Sequence, residues 1–569
     1  MPQDRGKDRQ LSPMFEIAHR YVDDLAALDP VLATALGLPV GNREMTDYSP
    51  DGYAAIADLN RRAVAELAAA PCLDEADRIA RDVMLERLGV RLALFEAGEH
   101  LRSVRIIASP LQDIRGVFDL MPKDTPEQWA DVAARLSQVP GALARYRASL
   151  TEGLGRHLMA SRRQSREAAE QARTYAGLVA GKTSSFDMIL DAFRRSLASV
   201  DAALAADIER GAAQAKAGYA DMARWLENDY LPRASEREAV GLERYGLLAQ
   251  VFLGAEIDAR ETYQWGWEEL HRIEKEMEVT AQRIAPGAGV DGAKDMLESD
   301  PARVIEGVDA YRDWLQSVHD QATEALDGVH FDIDPRIRRM EVMIPPPGGA
   351  LAPYYTGPSE DFSRPGRTWW PTGERTRFPK WTEVSTAYHE GVPGHHLQVA
   401  GARVLGDKLS RFQKLLAFVS GYGEGWALYA ERLMGELGFL NNPDYYLGML
   451  SAQALRAVRV IIDIGLHLEL PIPSGEDYHP GRVWNHDLAL EFAVQRTRWP
   501  RETIASEVVR YLGWPAQAIS YKVGERKWLE VREAARRREG PRFDLKRFHT
   551  QALSLGPMGL AQLERELSA

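Results

Sequence analysis

The chain has 569 residues, 45% of them hydrophobic, a formal charge of −13 at pH 7 and one cysteine, Cys72. This is enough apolar material for a large core, while the acidic balance argues against nucleic acid, whose binding needs concentrated Lys and Arg. A lone cysteine excludes an intramolecular disulfide, and with a mean hydropathy of −0.34 no apolar run approaches the roughly 18 residues of a membrane span.

Residues 1–10 are polar and lack the apolar stretch of a signal peptide, so a cytoplasmic protein with no membrane partner is expected. From Leu11 to about Asn228 the text reads as helix after helix. Ala54–Ala70, Glu75–Glu96, Trp129–Leu150 and Ser165–Leu178 carry apolar residues at three- and four-residue spacing. Ser49-Pro50-Asp51 and Thr125-Pro126-Glu127 place proline at a first helical position with an acid behind it. A second helical block spans Glu236 to Leu326. Tyr263, Trp265 and Trp267 crowd it as core packing or as cleft lining. Pro286-Gly287-Ala288-Gly289 interrupts it, and Asp300-Pro301 is expected to start a further helix.

Near Val329 the texture changes. Residues 339–344 alternate like a strand and stop at the proline-glycine run 345–349. Pro353-Tyr354-Tyr355-Thr356 and Gly366-Arg367-Thr368-Trp369-Trp370 are placed to pair with that strand as a small antiparallel element near 338–370. The expected fold is therefore mainly α. It is a large helical bundle of two halves around a deep cleft: a polar tail at 1–10, a scaffold half at 11–335 and a metal-binding catalytic half at 336–569. A sheet edge ahead of the metal helix suits an extended peptide, and equally a structural hairpin. Arg364 is expected to grip a substrate carboxylate or to pair with Asp361.

The chemistry concentrates in Tyr388-His389-Glu390-Gly391-Val392-Pro393-Gly394-His395-His396-Leu397-Gln398. Imidazole and carboxylate bind zinc in open catalytic sites, and a glutamate beside the first histidine is the usual base of a metalloprotease. The common spacing is H-E-x-x-H, and here the second position is Pro393. On a regular helix His395 would lie roughly 9 Å along the axis and about 120° around from His389, too far to share an ion. Proline at 393 clashes with the carbonyl of residue 389, and Gly391 and Gly394 tolerate unusual backbone angles. A distorted turn is therefore expected to bring His395 beside His389, with His396 as the alternative ligand. The third ligand should come from Tyr422-Gly423-Glu424-Gly425-Trp426-Ala427-Leu428-Tyr429-Ala430-Glu431, 35 residues on. Glu424 is preferred, with Glu431 on the same helical face as the alternative. That leaves Glu390 as base and one metal position open.

At these residues the chain resembles the DUF885 family. The likeness extends to Tyr354-Tyr355, Pro358-Ser359, Ser363-Arg364-Pro365-Gly366, Arg459 through His467, Arg510-Tyr511, Pro515 through Lys522, and Phe543-Asp544-Leu545 with Phe548-His549. It implies an all-helical, gluzincin-type zinc-peptidase fold, similar to the oligopeptidase and angiotensin-converting-enzyme group. In the family the histidine after Pro-Gly is the regular one, which supports His395. One departure is Asp361-Phe362, where the family usually has Asp-Gly. By the same resemblance Tyr521 is the oxyanion donor, with Tyr511 and Tyr422 as alternatives.

Farther along, Arg456, Arg459, Asp463 and His467 share a stripe, as a network orienting the ligands or as substrate contacts. Tyr355, Tyr422, Arg364 and His467 are the expected substrate-binding residues. The expected activity is hydrolysis of amide bonds in short peptides or amino-acid conjugates, with one Zn2+ per chain. Water is activated by metal, Glu390 moves the proton, and Tyr521 with the metal stabilises the oxyanion. The rival readings are a metal-dependent esterase, lactonase or amidase of a secondary metabolite, and a non-catalytic, metal-stabilised helical binding protein.

Overall fold

The computed structural model describes residues 11–196, 201–345, 352–359 and 361–568. The polar tail 1–10 and residues 346–349 of the proline-glycine run lie outside them. Helix accounts for 70% of the structure, and the fold is mainly α. The helices begin where their caps dictate. Ser49 accepts from the Gly52 N–H to open Pro50–Ala69, and Asp74 does the same for Asp77 at the start of Glu75–Glu96. Thr125 and Gln128 form a reciprocal capping box that opens Pro126–Gly155.

Two compact units emerge, Met1–Leu247 with Ala505–Pro515, and Leu248–Ile504 with Ala516–Ala569. The first is built on Pro126–Gly155 packed against Ala202–Trp225. Trp129, Leu136, Leu150, Phe186, Ile208 and Tyr219 are fully buried in its core. The dividing point lies at Leu247, well before the expected 335/336. The cause is long-range: Ala259–Ile284 packs along Pro443–Leu468, close enough that a Cβ on Gly266 would meet Val460 at 3.0 Å. That contact places the second helical block with the metal-binding half. Tyr263 and Trp267 are buried there, with the Tyr263 hydroxyl on the Pro471 carbonyl at 3.1 Å, so both are core residues.

Asp300-Pro301 opens only the single turn Pro301–Arg303. The strand Val304–Glu306 follows, antiparallel to Arg377–Pro379, and the helix Val308–Leu326 starts after it. The three expected strands are present as Met340–Met343, Tyr354–Thr356 and Gly366–Trp369. Gly366–Trp369 is central, antiparallel to Tyr354–Thr356 and parallel to Met340–Met343. Val342, Trp370, Phe378, Tyr311, Leu315 and Ala387 pack into one buried cluster. It fastens the strands and the Val308–Leu326 helix to the helix Glu383–Glu390, which carries the first histidine.

Candidate metal centre

The helix Glu383–Glu390 does not kink at Pro393; it ends before it. Gly391 donates to the Ala387 carbonyl at 2.8 Å and takes φ −96°, ψ −132°, outside the helix. The chain loops through Val392 and Pro393, joined by a cis bond, and helical winding resumes at His396. Gly394 donates to the Tyr388 carbonyl at 3.1 Å, which folds the loop back onto the helix end. A Cβ at 394 would sit 2.0 Å from the His389 carbonyl oxygen, and one at 391 would sit 2.4 Å from His319 Nδ1. Both positions therefore require glycine because of close approach. From the facing helix Ser420–Glu436, the Trp426 indole N–H donates to the carbonyls of Pro393 at 2.9 Å and Gly394 at 3.3 Å. The loop is thus held from both sides.

The expected consequence follows. The His389 and His395 rings meet edge to face, centroids 4.8 Å apart. Nε2 of each lies 3.4 Å from the same oxygen, Glu424 Oε2. One ligand atom from each of the three falls within 4.8 Å of the other two. Bond lengths of about 2.0–2.1 Å in a tetrahedral zinc site imply ligand-to-ligand edges of about 3.3–3.4 Å. The donor set and its spacing fit such an ion.

Behind His389, Nδ1 meets Glu431 Oε1 at 2.8 Å, and the other Glu431 oxygen accepts from the Ser385 hydroxyl. Glu431 is 1% exposed and engaged on the far side of the ring. It therefore holds the His389 ring from behind and lies away from the point where His389 Nε2, His395 and Glu424 converge. This corrects the alternative assignment. Its partner Ser385 is one turn before His389, on the same face.

Glu390, 6% exposed, turns one carboxylate oxygen, Oε2, into the interior with no hydrogen-bond partner. Burial raises its pKa, with His389 and His395 pulling the other way. Glu424 behaves oppositely: burial alone would raise it, but the two histidines outweigh burial and hold the carboxyl well below its usual range. Burial likewise works against charge on His389, yet its contacts with Glu424 and Glu431 push it up to about 10. The lowered carboxyl of Glu424 is thereby held ionised, the state in which a carboxylate binds a cation, while burial pulls Glu390 toward its protonated form.

His396 faces elsewhere. Its Nε2 meets the Ile337 carbonyl at 2.6 Å and its Nδ1 the Tyr355 hydroxyl at 2.9 Å, and it is fully buried. Both ring nitrogens are occupied, so His396 pins the loop to the strands and is no metal ligand. Burial lowers its pKa to about 4, against the Ile337 carbonyl. Tyr355 is accordingly engaged in this anchor. Arg364 donates to the carbonyls of Gly357 at 2.9 Å and Pro365 at 3.3 Å, while Asp361 accepts from Ser359 and Ser363. The expected Arg364–Asp361 pairing is replaced by two separate loop contacts. Phe362, at the family's usual glycine position, takes φ +58° under the Arg336 guanidinium, 4.8 Å away.

Tyr422 is 2% exposed and packs on Trp528, ring centroids 5.5 Å apart. His467 is fully buried, 4.0 Å from Asp463. Tyr511 lies in the first unit and bonds Glu507 at 2.6 Å. Tyr521 stands near the start of Ser520–Glu539. That helix packs so tightly on Ser420–Glu436 that a Cβ on Gly524 would meet the Gly421 carbonyl at 2.1 Å. Ser520 and Ser420 share a hydrogen bond of 2.7 Å, one turn before Glu424. The Tyr521 ring is flanked by Arg456 and Arg459. Sequence reasoning missed three supports: Ser385, Trp426 and His319. For Ser385 the four-residue spacing from His389 was a usable signal; the other two act across the fold.

A family model described as "Bacterial protein of unknown function (DUF885)" matches residues 30–567. Among solved structures, a "putative lipoprotein" from Colwellia psychrerythraea is similar over 98% of both chains, with TM-score 0.83 and 24% identity. A "putative lipoprotein of unknown function" from Shewanella oneidensis is similar over 97% of this chain and 99% of its own, with TM-score 0.75 and 17% identity. At such identities the likeness establishes the fold alone. No curated protein matches. Among the described residues, no helix is long and apolar enough to cross a membrane.

Proposed function

We propose that this chain, which belongs to the DUF885 family, is a metal-dependent hydrolase of amide bonds in short peptides or amino-acid conjugates. The observation that carries the reading is the convergence of His389 Nε2 and His395 Nε2 on one oxygen of Glu424, each at 3.4 Å. A glutamate directly after the first histidine, two histidines and a carboxylate from a later helix resemble the ligand set of gluzincin zinc peptidases. Zinc, one per chain, suits two imidazoles and one carboxylate with a position left open. When bound, it supplies Lewis acidity toward water and toward the substrate carbonyl.

The chain's own residues do the rest. Glu390, with an oxygen that nothing else engages, takes the proton from the attacking water. As the C–N bond breaks, it returns that proton to the leaving amine. Glu431 fixes the His389 ring through Nδ1 and so presents Nε2 to the ion. Tyr521 is assigned as the donor to the developing oxyanion. Its support is its position on the helix whose Ser520 bonds Ser420.

The test is a panel of dipeptides, N-acyl amino acids and matching esters with zinc-loaded protein. Glu390→Gln should keep stoichiometric metal and lose about 100- to 10,000-fold in turnover. Undiminished turnover in that variant removes Glu390 as base. His395→Ala should lose metal and His396→Gln should retain it; the reverse pattern contradicts the ligand assignment.

A further inference from the structure

Three residues, Ala417-Phe418-Val419, join the helices Arg411–Leu416 and Ser420–Glu436. Ala417 and Val419 are fully buried, yet Phe418 between them is 58% exposed. Among the described residues no other phenylalanine or tryptophan is as exposed. Its backbone is firmly held, since the Val419 carbonyl accepts from the Tyr422 and Gly423 N–H groups, both at 3.0 Å. The ring lies against Gly423, where an added Cβ would stand 2.5 Å from Phe418 Cε2 and 2.7 Å from Cζ. Only a residue without a side chain leaves room for the ring there.

Gly423 directly precedes Glu424, and the helix phase fixes which side the ring occupies. At about 100° per residue, Gly423 lies about 160° around from both Gly421 and Gly425. An added Cβ on those two would meet Leu560 at 2.9 Å and the Gly524 backbone at 2.5 Å. Phe418 is therefore on the opposite side of the helix from those contacts. There it falls between Trp426, about 60° one way, and Glu424, about 100° the other. Trp426 holds the loop that leads to His395, and Glu424 is the carboxylate on which the two histidines converge. A single exposed apolar side chain is ordinary. One pinned by buried neighbours and seated on a helix glycine gives up both burial and helix stability. An apolar group covering the ring restores the first of these.

We propose that Phe418 is a specificity-determining contact: it covers an apolar substrate side chain adjoining the scissile amide, leucine- or phenylalanine-like, and disfavours small polar ones. This rests on the hydrolase reading above. A substrate carbonyl at the convergence of His389, His395 and Glu424 sets its flanking side chains beside the first turns of Ser420–Glu436, where Phe418 stands. Aromatic faces gain most from apolar and aromatic groups laid on them, while a hydroxyl placed there loses its water without a partner.

The experiment uses full-length Glu390→Gln protein loaded with zinc, so that ligands bind without turnover. The dipeptides Leu-Leu and Ser-Ser, alike in backbone and charge, are titrated by calorimetry. Leu-Leu should bind about 10-fold more tightly, the size of one well-covered apolar contact. In the Glu390→Gln/Phe418→Ser double variant that preference should fall to about threefold or less, and Phe418→Leu should keep most of it. Zinc content is measured alongside and should be unchanged. Should Phe418→Ser fail to take up zinc, Phe418→Gln, closer in volume, carries the same comparison. Val279→Ser, at an apolar residue 63% exposed on Ala259–Ile284, should leave the preference as it was. Equal binding of the two dipeptides in the parent overturns the proposal. So does a preference that survives loss of Phe418, or one that Val279→Ser also abolishes. Absence of amide hydrolysis by wild-type protein across the panel would instead count against the hydrolase reading, while the apolar preference is decided by the titration alone.

Discussion

Replacing Trp426 by Phe tests whether the loop between the two histidines is held by the indole. Trp426 is fully buried, and its N–H bonds the Pro393 and Gly394 carbonyls. Gly394 keeps a second partner, the Gln398 N–H at 3.2 Å, so the loss falls mainly on Pro393. Leaving one buried carbonyl unsatisfied costs about 1–3 kcal/mol. The smaller ring leaves a space of roughly 30 Å³, which at about 24 cal/mol per Å³ adds near 0.7 kcal/mol. A total destabilisation of about 2–4 kcal/mol is expected, read as a lower urea midpoint for metal-free protein. Because the freed carbonyls belong to the segment that carries His395 to His389, part of the loss should return as metal affinity. Competition with a chelator should show zinc binding weakened by roughly 10-fold or more, for about 1.4 kcal/mol of loop ordering. Lower stability with unchanged zinc affinity would refute the claim that this contact sets the ligand geometry.

Glu431→Gln should leave the fold intact and weaken zinc binding by about 10- to 100-fold, the usual effect of losing a carboxylate behind a ligand; unchanged affinity on chelator competition would make Glu431 merely structural. Gly394→Ala should prevent metal uptake or folding altogether, since its Cβ would stand 2.0 Å from the His389 carbonyl, and a normally loaded Ala variant would contradict the loop geometry. His319 and His549 are buried and neutral, each lowered by burial to about 3. Unfolded histidine binds its proton near pH 6.5, so between about 6.5 and 3 the unfolded chain holds more protons and stability falls with pH. At pH 5.5 each should cost about 1.4 kcal/mol, and urea midpoints that are flat between pH 7.5 and 5.5 would refute this.

Much of the local structure was legible because it is locally determined. Ser49, Asp74 and Thr125 cap helices whose starts need nothing beyond neighbouring residues. The alternation at 340–343 marks a strand for the same reason. The pairing direction was not legible: Gly366–Trp369 runs parallel to Met340–Met343, a register decided across intervening chain. Helical periodicity placed Glu424 and Glu431 on one face, but about 10 Å apart along the axis. Which of them meets Nε2 and which meets Nδ1 depends on where the His389 ring crosses that face. Choosing between His395 and His396 needed the Ile337 carbonyl and the Tyr355 hydroxyl, both distant in sequence, which occupy His396. Phe362 shows the converse case: the departure from glycine was visible, while its left-handed backbone and its Arg336 cover were not.

The most direct test is anomalous diffraction at the zinc edge from crystals of metal-loaded protein. A single peak is expected at about 2.0–2.1 Å from His389 Nε2, His395 Nε2 and a Glu424 oxygen. His396 should still be bonded to Ile337 and Tyr355. A peak liganded by His396 or Glu431, or none between these three side chains, would contradict it.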